Sequence, residues 1–246
     1  MLSSAFLLTL NIFCYIIITE RGSLTMNNPN INAKSSLQDH AYNYVKEQIL
    51  NKKLSANVLY SETKLAAELG ISRTPMRESL HCLSQDGYIT IIPSKGFMIR
   101  QLTEKDMLET IQIRCAIEGF CTHVIANEIE SRKGQKLIKT LDKLLESMKK
   151  AEDSNGNNKS FMDYDHKFHL EIVNYVDNSE FNQTFQRLMY LIHLTTSTSL
   201  SIPGRIDSTL DEHEQYFHSL KIGDGDTAYR TLVRHLMMPI NMHIVE

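Results

Sequence analysis

Apolar residues from about position 104 onward recur at intervals of three and four, as Leu137, Leu141 and Leu144 illustrate. This spacing is typical of amphipathic helices, and the region has no alternation typical of strands. Turn-forming runs such as Ser154-Asn155-Gly156 separate the helical stretches. The pattern predicts six helices, at about 104–129, 132–151, 160–176, 179–199, 208–222 and 226–244. Such helices are expected to form an antiparallel bundle that can enclose a small pocket.

A different arrangement of apolar positions precedes the bundle. Residues 61–70 and 72–87 have helical spacing, and each stretch ends at a glycine, which tolerates the left-handed backbone of a helix end. Two β-prone runs, 88–92 and 97–99, follow with a turn-forming run between them. This order predicts a winged helix-turn-helix with a two-stranded wing. An earlier helix is predicted to pack under this motif through the apolar stripe formed by Leu37, Ala41, Val45 and Ile49. In the helix at 72–87, the residues expected to face inward are Met76, Leu80 and Leu83.

Two arginines suggest what the second helix of this motif contacts. Arg73 and Arg77 are four residues apart, so they share one helix face, and Ser72 is expected to cap the helix. Guanidinium groups at the start of such a helix suit phosphates and guanine edges in the DNA major groove. The alternative is a solvated basic face on an ordinary helix. The turn, the cap and the wing favour the DNA-binding interpretation.

Charge is divided between two predicted domains. The winged helix-turn-helix, residues 36–102, has 8 Lys/Arg and 6 Asp/Glu, whereas the all-α helical domain, residues 103–246, has 16 and 22. The mildly basic part is therefore the part predicted to bind DNA, although the chain has a net charge of −3. The four cysteines have no C-x-x-C spacing, so a disulfide framework is not expected and a cytoplasmic location is. The fold class is mainly α.

The first 25 residues do not fit this organisation. Residues 5–19 are apolar, but the run is shorter than the ~20 residues of a membrane-spanning helix, and no basic residue precedes it. A polar stretch begins at Met26. We expect translation to start at Met26, so that 1–35 comprises a misassigned extension and a disordered N-terminus. The alternative is a membrane-tethered regulator.

Four residues of the helical domain form a candidate metal site. Asp165 and His169 are four apart on one predicted helix, and His213 and His235 lie on two later helices. One carboxylate and three imidazoles suit a divalent metal such as Zn, Ni, Mn or Fe. The alternative is that these are ordinary surface or capping residues. The histidines interpreted as surface or packing residues are His166, His193, His218 and His243.

Residues 72–80, S-R-T-P-M-R-E-S-L, resemble the core of the winged helix-turn-helix of GntR-family bacterial transcription regulators. One position departs from the family, since Thr63 stands where some members have an arginine. The resemblance implies double-stranded operator DNA as a partner, with the wing reaching the minor groove. The implied DNA-binding residues are Ser72, Arg73, Thr74, Arg77, Lys95 and Gly96.

Residues 104–246 resemble the FCD ligand-binding domain of the FadR-type subgroup. Four patterns carry this resemblance: D-x-x-F-H ending at His169, E-H at Glu212-His213, G-D at Gly225-Asp226 followed by Ala228 and His235, and R-x-x-x-E from Arg114 to Glu118. The resemblance implies a divalent metal whose open positions bind a small carboxylate effector. Arg114 is a candidate for binding that carboxylate bidentately, with a salt bridge to Glu118 as the alternative. The implied metal ligands are Asp165, His169, His213 and His235, and the remaining effector candidates are Asn178 and Arg205.

These patterns together predict a homodimeric, cytoplasmic transcription repressor that is not an enzyme. Each DNA-binding domain is expected to occupy half of a palindromic operator, and the dimer is an implication of the resemblance. Effector binding at the metal is expected to change operator affinity. Two alternatives remain: a metalloenzyme that acts on a small carboxylate, and a DNA-binding protein whose metal is purely structural.

Overall fold

A computed structural model describes residues 34–153 and 158–242 of the chain. The predictions for the first 25 residues, including the start at Met26, and for His243 concern residues outside this part. Contacts group the described residues from Leu37 onward into one compact unit. The division into domains at 102/103 therefore stays a proposal. No helix in the described part is both long and apolar enough to cross a membrane.

The N-terminal part is the expected winged helix-turn-helix, with one strand more than the sequence predicted. Leu59 and Tyr60 form a third strand, which pairs antiparallel with Met98 and Phe97 of the wing. A two-residue strand has no alternation to detect, so only its tertiary pairing defines it. The sheet order is β1-β3-β2. The elements are α1 (Lys34–Leu50), β1 (Leu59–Tyr60), α2 (Glu62–Leu69), α3 (Arg73–Gln85), β2 (Ile89–Ile92) and β3 (Gly96–Ile99).

The helix ends and the buried faces of this part mostly follow the sequence. Gly70 ends α2 at φ 69°, in the left-handed region. Ser72 occupies the N-cap position of α3, but its side chain makes no capping hydrogen bond. The prediction that Leu37 is buried was wrong, since it is 47% exposed. Leu37 lies one turn before the fully buried Ala41, at the end of α1 that extends beyond the apolar core. The predicted inward residues of α3 are all buried: Met76, Leu80 and Leu83.

The rest of the described chain is a helical bundle. The first helix begins at a capping box, in which the Thr103 hydroxyl accepts from the Asp106 N–H and the Asp106 carboxylate accepts from the Thr103 N–H. Observed bounds are within a few residues of those predicted. The helices are α4 (Glu104–Asn127), α5 (Arg132–Asp153), α6 (Asn158–Asn174), α7 (Ser179–Ser199), α8 (Arg205–Lys221) and α9 (Gly225–Asn241).

Two apolar cores underlie these two parts. One lies within the bundle, where α5 packs against α6, and α9 packs against both α4 and α8. The other lies under the helix-turn-helix and also includes Tyr190 and Leu191 of α7. The Tyr190 ring stacks on Tyr88 with centroids 4.4 Å apart, and its hydroxyl donates to the Arg100 carbonyl at 2.9 Å. Helix α7 is therefore shared between the bundle and the winged helix-turn-helix.

Candidate metal centre and candidate DNA interface

Three helices bring four possible metal ligands to one point inside the bundle. Asp165 and His169 lie one turn apart on α6, while His213 comes from α8 and His235 from α9. The first three are at least 97% buried, and the side chain of His235 is 12% exposed. Each residue offers one ligand atom, and these four atoms all lie within 4.8 Å of one another.

The distances between ligand atoms suit a small cation. His213 Nε2 lies 3.3 Å from His169 Nε2 and 3.3 Å from Asp165 Oδ1. Neighbouring ligands around zinc, with bonds of roughly 2.0–2.1 Å, are about 3.3 Å apart in a tetrahedral arrangement. His169 Nε2 and Asp165 Oδ1 are farther apart, at 3.8 Å. The residues therefore fit a divalent metal in donor chemistry, and two of their separations match a tetrahedral site.

Each histidine is oriented by a hydrogen bond at its other ring nitrogen. His169 Nδ1 lies 2.6 Å from Glu118 Oε2, and His235 Nδ1 lies 2.7 Å from Glu212 Oε2. His213 Nδ1 lies 2.7 Å from the Thr209 carbonyl. A neutral imidazole donates its Nδ1–H to these oxygens, which leaves Nε2 free to bind a metal. Such supporting contacts are typical of histidines that ligate metals.

Two buried arginines neutralise the supporting carboxylates. Arg114 Nε donates to Glu118 Oε1 at 2.7 Å, so the salt bridge considered from the sequence is formed. Arg205 makes a bidentate pair with Glu212, at 2.9 and 2.7 Å. Burial tends to raise the pKa of Glu212, but hydrogen bonds from His235 and Arg205 outweigh it and lower the pKa to about 2. Each of these carboxylates is therefore paired with a buried guanidinium as well as hydrogen-bonded to a histidine.

Burial and nearby charges shift the pKa values of three of the four candidate ligands toward the protonation states that bind a metal. Burial tends to raise the pKa of Asp165, but the neighbouring His169 and His213 outweigh it and lower the pKa to about 2. Burial, reinforced by the charge of His235, lowers the pKa of His213 to about 4. Burial, with Arg114, lowers the pKa of His169 well below its ordinary value. At neutral pH the site therefore offers the carboxylate of Asp165 and the neutral imidazoles of His169 and His213.

A small cavity adjoins this cluster. It has a volume of about 30 Å³, and Arg114, Arg205, Asp165 and His235 are among its lining residues. Arg114 Nη2 and Arg205 Nε are buried there and have no hydrogen-bond partner among the described residues. Unused guanidinium donors suit a carboxylate, but the volume suits only water-sized ligands. An organic effector therefore requires the surrounding side chains to move.

The candidate DNA interface is exposed to solvent, whereas the candidate metal ligands are buried. Arg73 and Arg77 have side chains that are 62% and 56% exposed, and they flank a groove of about 360 Å³ that the wing residue Lys95 also lines. Gly96 lies at the same groove. Ser72 and Thr74 are exposed beside the arginines. Four of the six predicted DNA-binding residues thus line one groove between the helix-turn-helix and its wing.

Comparison with known proteins identifies the family of both parts. The family model described as "Bacterial regulatory proteins, gntR family" matches residues 37–99, and the model described as "FCD domain" matches residues 109–237. The chain belongs to the GntR family of bacterial regulatory proteins. It is a transcriptional regulator with an FCD domain, as the sequence patterns predicted.

Relatives cover most of this GntR regulator. It is 27% identical over 194 residues to the HTH-type transcriptional regulator YdhC of Bacillus subtilis (strain 168), spanning 79% of this chain and 85% of that protein. It is 28% identical over 195 residues to the gluconate operon transcriptional repressor of Bacillus licheniformis, spanning 75% and 76%. These relatives are transcriptional regulators, which favours that class over the metalloenzyme alternative.

Solved structures share the fold of this GntR regulator. A GntR regulator from Rhodococcus sp. RHA1 matches with a TM-score of 0.70 at 15% identity, over 85% of this chain and 97% of that one. Escherichia coli McbR/YncC matches with a TM-score of 0.67 at 18% identity, over 84% and 96%. At such identities the likeness establishes the fold class, which is mainly α with a small antiparallel sheet.

Two contacts, one at the candidate DNA interface and one at the candidate metal centre, were not predicted from the sequence. Glu62, the first residue of α2, bonds to Arg77 at 3.0 Å and to Arg73 at 3.4 Å. The sequence offered only a weak signal for this contact, an acid at the start of the helix before the arginines. Glu118 was recognised as a partner of Arg114, but its contact with His169 was not predicted.

Asn178 has a different position from the other effector candidates. It is the N-cap of α7, where its side-chain oxygen accepts hydrogen bonds from the Glu180 and Phe181 N–H groups. It is not among the residues that line the cavity beside the metal ligands, whereas Arg114 and Arg205 are. A helix-capping role accounts for Asn178.

Proposed function

We propose that the regulator is a repressor whose operator affinity is controlled by a small carboxylate bound at a divalent metal. The observation that carries this proposal is the convergence of Asp165, His169, His213 and His235 on one point beside two buried arginines. The relative named as a gluconate operon repressor supports the sign of regulation. The action on operator DNA would take place in the cytoplasm.

Each group at the site has a role in this proposal. The four ligands would hold the metal, which supplies a Lewis-acidic position for a carboxylate oxygen. Arg114 and Arg205 have the spare N–H groups that would bind the second carboxylate oxygen. Glu118 and Glu212 keep the histidines aimed at the metal.

Helix α7 is our candidate for the element that links effector and DNA. The small cavity is lined by residues near the C-terminal end of this helix, Thr195, Thr196 and Ser199. One to two turns earlier, Tyr190 packs on Tyr88 and bonds to the Arg100 carbonyl. An effector too large for a 30 Å³ cavity would displace α7 and thereby alter contacts under the DNA-binding part. Such coupling has two distinct sites and one shared element, as allostery requires.

We also propose that the regulator acts as a homodimer on a two-fold operator. Helix α4 exposes three large apolar side chains, Leu108, Ile113 and Phe120, which are 37–42% exposed. Apolar groups on one exposed helix are typical of a self-complementary interface. A dimer would place Arg73 and Arg77 of each subunit in successive major grooves.

The test is operator affinity in the metal-loaded regulator, at fixed salt, with a duplex from the region upstream of its own gene. Removal of the metal by a chelator, or addition of the right carboxylate, is expected to change the affinity roughly 5- to 150-fold, the usual range of allosteric coupling. The matched control is the variant His213→Ala, whose operator affinity should be insensitive to both treatments. Equal affinity of the wild type in all conditions would contradict metal-linked control.

A purely structural metal is the second candidate function, and the small volume of the cavity favours it. In that case the ion would join α6, α8 and α9 without sensing an effector. Circular dichroism during chelation separates the two candidates. Loss of helical signal together with operator binding indicates a structural metal. A change in operator affinity with an intact helical signal indicates a sensory one.

A further inference from the structure

A second and larger cavity lies where α1 meets the bundle. It has a volume of about 680 Å³ and is lined mainly by residues of α1, α6 and α7, together with Tyr88. Ligand pockets are typically about 300–1,000 Å³. The described residues that line it include none of the four metal ligands and neither of the two buried arginines. Among the described residues, Leu200 alone lines both this cavity and the small one beside the candidate metal ligands.

Basic side chains from both parts converge on this cavity. Lys46 and Lys52 come from α1 and the turn after it, and Lys159 comes from the first turn of α6. Burial lowers the pKa of His193 in the same wall to about 4, and the neighbouring His166 lowers it further, as do Lys52, Lys159 and Lys46. Lysines from different parts of the chain therefore line the same cavity as His193.

Acidic groups do not cancel this charge. The carboxylates among the described lining residues are Glu47 and Asp163. Glu47 is engaged with the Asn51 side chain at 3.5 Å. With three lysines against two carboxylates, the lining has a positive balance at neutral pH. The cavity therefore favours an anion.

His166 adds an unused polar atom to the same wall. Its Nε2 is buried and has no hydrogen-bond partner among the described residues, and its ring lies 5.8 Å from that of His193. It follows Asp165 on α6, so it points about 100° away from the metal ligand around the helix axis. A buried polar nitrogen without a partner costs free energy. A ligand in the cavity would supply that partner.

Part of the remaining wall is apolar, beside amide and serine side chains. The apolar residues that line the cavity are Leu50, Met162, Leu170, Met189 and Leu200. A positive balance and an unpaired imidazole beside an apolar wall suit a ligand with two kinds of surface. We propose that this cavity is a second ligand site of the regulator, which binds a small organic anion with an apolar body.

Such a ligand would contact the DNA-binding part and the bundle at once. Lys46 and Lys52 would hold its anionic group from one side, and Lys159 and His166 from the other. The sequence alone favoured a packing or surface role for His166 and His193. Their position in a shared basic cavity assigns them a binding role that does not involve the metal.

The test uses 8-anilinonaphthalene-1-sulfonate, an organic anion with an apolar body whose fluorescence rises on binding. The full-length, metal-loaded regulator is titrated with it, alongside the double variant Lys52→Ala/Lys159→Ala. Loss of two charge-assisted contacts is expected to weaken binding by about tenfold or more. The matched control, Lys139→Ala/Lys143→Ala, removes two exposed lysines of α5 that do not line the cavity. It should bind as the wild type does.

Two further measurements keep the proposal testable if the lysine variant fails to fold. Ser197→Trp adds a large side chain to the wall without changing charge, and it is expected to abolish the fluorescence increase. The uncharged N-phenyl-1-naphthylamine should bind the wild type at least about tenfold more weakly than the sulfonate does. Wild-type affinity in both the lysine and the tryptophan variants would overturn the proposal, and so would equal affinity for the charged and uncharged probes.

Discussion

At the scale of single residues, Glu118 connects the buried Arg114 to the candidate metal ligands. It is fully buried and bonds to Arg114 through one oxygen and to His169 through the other. Burial raises the pKa of Glu118, while the charge of Arg114 opposes this. A buried carboxylate with two such partners holds the His169 ring in one orientation and one tautomer.

Replacement of Glu118 by Gln should weaken metal binding without removing a ligand. The amide has the shape of the carboxylate but no charge, so the His169 ring loses a strong acceptor. We expect metal affinity to fall about 10- to 100-fold, as measured by competition with a chelating dye. The control is Glu146→Gln, at an exposed position on α5. Unchanged affinity in the Glu118 variant would show that its contact with His169 is not needed for metal binding.

Arg77 is the residue at which DNA binding can be tested most directly. Its guanidinium is bonded to Glu62 and more than half exposed on the proposed interface. Arg77→Ala should reduce operator affinity by roughly 1–3 kcal/mol, which is about 5- to 150-fold, in a fluorescence anisotropy titration. Lys139→Ala removes an exposed charge of the bundle and should leave affinity unchanged. Equal affinities of the two variants would argue against this face as the DNA interface.

At the scale of elements, the wing depends on the close approach of β1 to β3. Gly96 begins β3 at φ 135°, and a Cβ atom there would lie 2.0 Å from the Tyr60 carbonyl oxygen. Real atoms do not approach so closely, so a side chain would push β1 away from β3. The third strand thus explains why the turn of the wing ends in glycine.

Gly96→Ala should destabilise the regulator more than Gly70→Ala does. Both glycines have positive φ, but a Cβ at Gly70 would meet nothing within 4 Å. The second variant therefore has only the backbone strain, about 1–2 kcal/mol, and the first has the clash as well. Urea unfolding of the two variants measures the difference. Equal free energies of unfolding would mean that β1 moves away at no cost.

At the scale of the whole molecule, dimerisation would bring two DNA-binding surfaces together, one for each half of the operator. The apolar residues exposed on α4 are our proposed contact, and Ile113 lies near their centre. Ile113→Asp places a charge in that contact and should shift the regulator toward monomer in analytical ultracentrifugation.

The matched control is Ile222→Asp, at an exposed apolar position between α8 and α9 that is 65% exposed. It should remain as associated as the wild type. A dimer that persists in the Ile113 variant at the same concentration would place the interface elsewhere.

Most elements of the fold could be predicted because local spacing specifies them. Apolar periodicity predicted the helices within a few residues, and Gly70 marked a helix end that the structure confirms. The strand Leu59–Tyr60 was missed because it exists only through its pairing with β3. Leu37 was misplaced because periodicity cannot tell where a helix extends past its core.

The sequence by itself determined the family, the fold class and the residue types at the candidate sites, since these follow from short motifs and local spacing. Only the tertiary structure decided which side chains meet. It brought His213 and His235 to Asp165 across three helices, gave Glu118 its second partner, and assigned Asn178 to a helix cap. It also formed the cavity around His166 from helices more than one hundred residues apart. Contacts between distant segments depend on packing, which no local pattern records.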